Sequence, residues 1–236
     1  RKSKKSKLVS TNLNFYQICR FLISKIVCRT INLLLMKKYM GDTQAGLKAF
    51  NKPKNFNLIA CADPKILSIK KKIHIKNILL TKNWNELIHL KNLHAVIIAT
   101  THSLHSTIIK ACITKNIHAF VEKPAGTSAI ETKKMILLLK SKNFLAIRVG
   151  FNHRYHPSFM LAKKLIKENK IGDLMYIRAV YGHGGRLNYN KEWRFNKKLS
   201  GGGELIDKGS HLIDLSRFFL GNLKTDKHKL KTTFWN

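Results

Sequence analysis

Cysteine, proline and acidic side chains are scarce in this 236-residue sequence. The 4 cysteines are Cys19, Cys28, Cys61 and Cys112, and no two of them form a Cys-x-x-Cys pair. That excludes a disulfide scaffold and a zinc ribbon, and fits a reducing, cytoplasmic compartment. No stretch of roughly eighteen uncharged apolar residues occurs, so no membrane span is expected. Solenoid-length repeats are also missing. Acidic residues number 12 against 45 Lys+Arg, for a formal net charge of +33. Such a charge suggests a polyanion partner. The excess is mostly lysine spread along the whole chain, however, without the arginine–aromatic clusters of a nucleic-acid reader. We read it as a general lysine bias, with no specific nucleic-acid partner. Hydrophobic residues make up 44%, enough for a sizeable core.

Residues 1–36 begin RKSKKSK and carry no acid. The apolar text that follows is cut by Arg20, Lys25 and Arg29, so this stretch reads as a basic, atypical N-terminal segment. A regular rhythm sets in near residue 56. FNLIACAD (56–63), HAVIIAT (94–100), HAFVEKP (118–124) and FLAIRVGF (144–151) are short apolar runs of strand type. Helix-like segments lie between them, at 84–90, 103–116 and 128–143, the last opened by Ser128 and Glu131 at capping-box spacing. Strands alternating with such helices predict βαβ units and a Rossmann-type parallel α/β sheet over 37–150. Ligands of these sheets bind outside the carboxyl ends of the strands. Past Phe151 the pattern changes. A helix is expected over 156–172, a longer strand over 173–184, then a glycine-rich break at 200–203 and a second helix. Residues 151–236 therefore read as a second, α+β domain, incomplete at its C-terminal end.

Three constellations could carry chemistry. Asp63 ends a strand, where an acid accepts hydrogen bonds from an adenosine ribose and disfavours a 2′-phosphate; an ordinary turn aspartate before Pro64 would look the same. The glycine fingerprint expected upstream, Gly-x-Gly-x-x-Gly, is not present: Gly41 and Gly46 are there, but Lys38, Met40 and Thr43 occupy the positions between strand and helix. Lys123, in Glu122-Lys123-Pro124, closes another strand and could polarise a substrate oxygen; a solvated lysine is the plain alternative. Asp207 and His211 follow three glycines at i, i+4 spacing, with Asp214 further along. They share a helix face, and His211 could take a proton from an alcohol near neutral pH. A polar helix edge would also explain them. His183 or Glu204 could complete a metal site, but no tight ligand spacing supports one, and no metal is expected.

Taken in order, IIATTHSLH, FVEKP, GFNHRYHP, EWR and GGGELIDKGSHLIDL resemble the Gfo/Idh/MocA oxidoreductases. The resemblance covers roughly 56–236. It implies a Rossmann domain followed by a second domain with an open, mostly antiparallel sheet. It also implies a nicotinamide cofactor, NAD with NADP open, and a sugar, inositol or nucleotide-sugar substrate. By the same resemblance Lys123, Asp207 and His211 are catalytic. Asp63, Thr100, Thr101, His102, His105, Glu122, Lys123, Trp193 and Arg194 line the cofactor. Asn152, Arg154, Tyr155 and Asp207 meet the substrate.

The expectation is thus an NAD(P)-dependent dehydrogenase acting on CH–OH groups of a small sugar or polyol. Copies would pair through the second-domain sheet. Two rivals stand beside it. One is a truncated, non-catalytic remnant or NAD(H)-binding protein, suggested by the altered glycine fingerprint and the short second domain. The other is a basic nucleic-acid-binding protein.

Overall fold

Six strands line up in parallel, in the order β3-β2-β1-β4-β5-β6, in the computed structural model of the chain. The structure describes residues 56–66, 77–182 and 187–224, together with the backbone of the strand at 31–37. The strands are β1 (Ile31–Lys37), β2 (Phe56–Ala62), β3 (Leu79–Thr81), β4 (Ala95–Ala99), β5 (His118–Glu122) and β6 (Ile147–Gly150).

The sequence explains why β4 lies inside. All five residues of AVIIA are buried, as expected of a parallel strand covered on both faces. Helices α1 (Trp84–Leu87), α2 (His102–Thr114) and α3 (Ala129–Lys140) supply cover. Helix α2 buries His102, His105, Ile108, Ile109, Cys112 and Ile113, a stripe at helical period. These pack with Val96, Ile98, Ala119 and Val121 of the sheet in one continuous core. Helix α3 starts where the capping-box spacing predicts. Ser128 Oγ accepts from the Glu131 N–H at 3.2 Å, and Glu131 reaches back to the Thr127 N–H at 2.9 Å.

Two elements differ from the sequence reading. Strand β1 occupies Ile31–Lys37, at the centre of the sheet between β2 and β4. The boundary drawn at residue 36/37 therefore cuts through it. In sequence its apolar run follows the basic segment without a break. The second correction concerns 173–184. No strand forms in the described part, 173–182, and no antiparallel sheet forms among the described residues. Met175, Tyr176 and Val180 are 88%, 79% and 89% exposed. Side chains of both parities thus face solvent, and alternation without a neighbouring strand leaves nothing to bury or pair against.

After β6 the chain makes a 3₁₀ turn (Asn152–Tyr155) and helix α4 (Pro157–Lys167). The latter ends five residues before Gly172, the expected stop. Two further 3₁₀ turns (Tyr189–Lys191 and Trp193–Phe195) lead to a short helix, α5 (Lys197–Ser200). A π turn (Leu205–Gly209) then runs directly into α6 (Ser210–Leu220). Gly201 lets this second part close onto the first. It has φ +81, and a Cβ there would stand 2.8 Å from Thr127 Cβ, so only glycine fits the approach. Among the described residues no helix is long and apolar enough to cross a membrane.

Candidate active site

The strand order reverses direction between β1 and β4, and the crevice at their carboxyl ends is where an open parallel sheet receives its ligand. Lys37 pairs with Ala99 at this edge. Around it stand Asp63 after β2, Thr100 and Thr101 after β4, and Glu122 and Lys123 at the end of β5. Residues 38–55, which hold Lys38, Met40, Gly41, Thr43 and Gly46, lie outside the described residues, as does His183.

Asp63 is buried, and its Oδ1 accepts from the Lys65 N–H at 2.7 Å. It thus stabilises its own turn at the end of β2. Thr101 is buried at the start of α2, with its hydroxyl 3.3 Å from that of Ser103. The Thr100 hydroxyl donates to the Thr101 carbonyl at 3.2 Å. Burial pushes the Glu122 carboxyl up from its ordinary range, with neighbouring Lys123 opposing the shift.

Lys123 and Asp207 meet directly. The Lys123 ammonium donates to Asp207 Oδ1 at 2.9 Å and also to the Asp207 backbone oxygen. The other carboxylate oxygen, Oδ2, accepts from Lys208 at 2.5 Å and lies 3.5 Å from Arg194 Nε. Burial alone would raise the Asp207 pKa; the ammoniums of Lys208 and Lys123 outweigh it and hold the carboxyl well below its ordinary value. Asp207 is therefore a fixed anion at any ordinary pH.

His211, at the start of α6, is 6% exposed. Its ring stacks on His153 at 4.0 Å between centroids and meets Phe151 and Tyr181 edge-on. Burial, followed by the positive charge of Lys123, lowers its pKa to about 3. The imidazole is thus neutral and able to accept a proton. No hydrogen bond joins it to Asp207, so the expected orienting contact between these two is not formed. The aromatic cage orients the ring instead.

Three sequence-predicted ligand residues are otherwise engaged. His105 is fully buried, with Nδ1 2.6 Å from the Pro124 carbonyl oxygen and Nε2 3.2 Å from that of Thr100. It braces two strand-end loops and does not face the crevice. The Arg154 guanidinium grips Asp214 through two bonds of 2.7 and 2.6 Å, tying the 3₁₀ turn to α6. His102 turns Nδ1 to the Ser200 carbonyl oxygen at 2.8 Å and stands edge-on to Trp193 at 4.8 Å. Burial brings its pKa to about 4 against the pull of that carbonyl, so the neutral ring donates from Nδ1. Asn152 is half-buried and Tyr155 is 40% exposed; among the described residues neither bonds to Lys123, Asp207 or His211.

Sequence reasoning missed Lys208, Tyr189, Glu192 and His153, and considered Glu204 only as a possible metal ligand. In a chain so rich in lysine, nothing marked Lys208 as different from its neighbours.

The crevice suits a nicotinamide dinucleotide at its reactive end. Three buried polar atoms in this part of the chain, Trp193 Nε1, Ser210 Oγ and His211 Nδ1, find no protein partner, which leaves them able to serve a ligand. Two family profiles match the chain. One, described as an oxidoreductase family with an NAD-binding Rossmann fold, covers residues 39–151; the other, the GFO/IDH/MocA C-terminal domain, covers 159–234. The chain belongs to the Gfo/Idh/MocA oxidoreductases. This Gfo/Idh/MocA chain is 34% identical to a levoglucosan dehydrogenase of Pseudarthrobacter phenanthrenivorans over 154 residues, which is 64% of the chain and 39% of the relative. It is 32% identical to an NADP(+) scyllo-inositol 2-dehydrogenase of Bacillus subtilis over 126 residues, 53% of the chain and 34% of the relative. The solved structure of a levoglucosan dehydrogenase in complex with NADH matches at TM-score 0.66 and 27% identity, covering 81% of this chain and 54% of that one. The chain thus spans about a third to a half of the length of these relatives.

Proposed function

We propose that this protein carries the cofactor half and the catalytic face of an NAD(P)-dependent dehydrogenase acting on a hydroxyl of a sugar or cyclic polyol. The cofactor half would extend to residue 150 and the substrate-facing part from 151. The Lys123–Asp207 ion pair carries the reading. It joins the end of a dinucleotide-fold strand to the helix start that bears His211, three residues of one expected site.

Each side chain has a task its surroundings allow. An ammonium offers three donors. Lys123 commits two to Asp207, and the third can hold the substrate oxygen and stabilise developing negative charge there. Asp207 keeps that ammonium charged and in place. Neutral His211 receives the hydroxyl proton, in a step of general-base type worth roughly 10²–10⁴-fold. When bound, the nicotinamide supplies the hydride acceptor. Thr101 and the Trp193–Arg194 turn wall the crevice on the cofactor side, with His102 packed against Trp193 to hold that turn, and Asn152 with Tyr155 stand on the substrate side. Arg154 positions α6 through Asp214. Asp63 at the end of β2 favours NAD over NADP, because a 2′-phosphate beside its carboxylate would be repelled. Levoglucosan and scyllo-inositol, named in the relatives, are the first substrates to try.

Titration of the protein with NADH, followed by cofactor fluorescence, tests the reading. Saturable binding that NAD displaces is expected. Non-saturable binding that fades with salt would overturn it and favour the polyanion-binding alternative.

A further inference from the structure

We propose that Lys208 is a positioning residue for Asp207: anchored from behind by Tyr189 and Glu204, it fixes the carboxylate so that Oδ1 faces Lys123. The inference rests on the reading that Lys123 and Asp207 face the substrate.

The geometry is that of a built clamp. The Lys208 side chain is only 14% exposed, and an ammonium so covered needs compensation for lost hydration. It finds three acceptors. Asp207 Oδ2 lies at 2.5 Å, the Tyr189 hydroxyl at 3.1 Å and Glu204 Oε2 at 3.4 Å. The direction of the chain is fixed, because the Tyr189 hydroxyl accepts from Lys208 and donates to Glu204 Oε1 at 2.9 Å. Tyr189 is itself buried and held edge-on against Phe195 at 5.0 Å. On a regular helix, neighbours i and i+1 do not face each other. Asp207 and Lys208 do, inside the π turn, where the Ser210 N–H reaches back five residues to the Leu205 oxygen. The widened turn thus lets one residue clamp the next.

The other cations on Asp207 come from different elements: Lys123 after β5 on Oδ1, and Arg194 from its 3₁₀ turn at 3.5 Å from Oδ2, already paired with Glu192 at 2.9 Å. Without Lys208, Oδ2 keeps only the more distant arginine, and the carboxylate can turn away from Lys123.

The Asp207 carboxyl carbon, followed by NMR against acid, reads this directly and needs no turnover. Lys208→Met is expected to raise the Asp207 protonation midpoint by about one to three pH units and to shift the Lys123 side-chain nitrogen signal. Lys208→Arg should preserve both, and Tyr189→Phe should move both in the direction of Lys208→Met. In turnover with a polyol, Lys208→Met should lower kcat by about tenfold to a hundredfold with the cofactor KM unchanged, and Lys208→Arg should recover much of it. An unchanged Asp207 midpoint in Lys208→Met overturns the clamp. If that variant does not fold, an unchanged midpoint in Tyr189→Phe does so. Loss of saturable NADH binding in the parent protein would refute the dehydrogenase reading while leaving the NMR result to decide the clamp.

Discussion

Lys123 and Asp207 lie 84 positions apart in sequence and share an ion pair of 2.9 Å, with side chains only 12% and 13% exposed. Two further cations, Lys208 and Arg194, face the same carboxylate. Removing the anion is therefore worse than removing one cation. Asp207→Ala leaves the covered Lys123 ammonium without its anion and Lys208 with only the more distant Glu204, and is expected to cost about 3–5 kcal/mol. Lys123→Met leaves Asp207 still paired with Lys208 and should cost distinctly less. Urea unfolding at neutral pH checks the order; equal costs would mean that the pair is not the electrostatic centre of the site.

Acid should weaken the fold through the imidazoles. Both His211 and His102 have folded values, about 3 and about 4, far below the ordinary 6.5. Below pH 6.5 the unfolded chain takes up protons that the folded one refuses. Stability thus falls as pH drops from 6.5 towards those lower values, by at most about 1.4 kcal/mol per pH unit for each ring. Above pH 6.5 neither ring contributes a slope. Unfolding free energies measured between pH 7 and 5 should fall with acid, and His211→Asn should flatten the curve. The same neutrality bears on turnover. If His211 is the base, kcat/KM should show no acid limb near pH 6.5. A limb centred there would assign the base to another group.

Much of the sheet was legible in the sequence. The apolar runs at 56–63, 94–100 and 118–124 contain β2, β4 and β5, because buried parallel strands need continuous apolar text. The helix starting at Ser128 was legible because its cap is local. Strand β1 was not, since Ile31–Lys37 carries no signal separating it from the basic run before it. The alternation over 173–184 misled for the opposite reason: a local pattern proposes a strand, but a partner must complete it. In the site, the motif residues stood out by type and spacing. The clamp around Asp207 did not, because its members come from three places in the chain and their meeting depends on a π turn that no propensity announces.

His105 separates a structural from a ligand-facing role. Its two ring nitrogens face the carbonyl oxygens of Pro124 and Thr100, and it has no exposed surface. His105→Leu keeps the bulk but removes the single N–H that the neutral ring can donate to one of these carbonyl oxygens. It is expected to lower stability by about 1–3 kcal/mol while the folded fraction binds NADH as before. A selective loss of NADH affinity at unchanged stability would instead return His105 to the cofactor wall.

Gly201 and Gly203, two residues apart in the same glycine run, should behave oppositely. Gly201 has φ +81, and an added Cβ would meet Thr127 Cβ at 2.8 Å and Thr127 Cα at 3.1 Å. Gly203 has nothing within 4 Å of an added Cβ. Gly201→Ala carries both a left-handed backbone penalty of about 1 kcal/mol or more and a clash with main chain that cannot rotate away. Relief must come from parting the loop after β5 from the start of the π turn, the contact that brings Asp207 to Lys123. The variant should therefore lose thermal stability and NADH-dependent turnover together, whereas Gly203→Ala should leave the melting temperature within about 0.5 kcal/mol equivalent of the parent. A Gly201→Ala protein as stable as Gly203→Ala would show that the two halves do not close at this point.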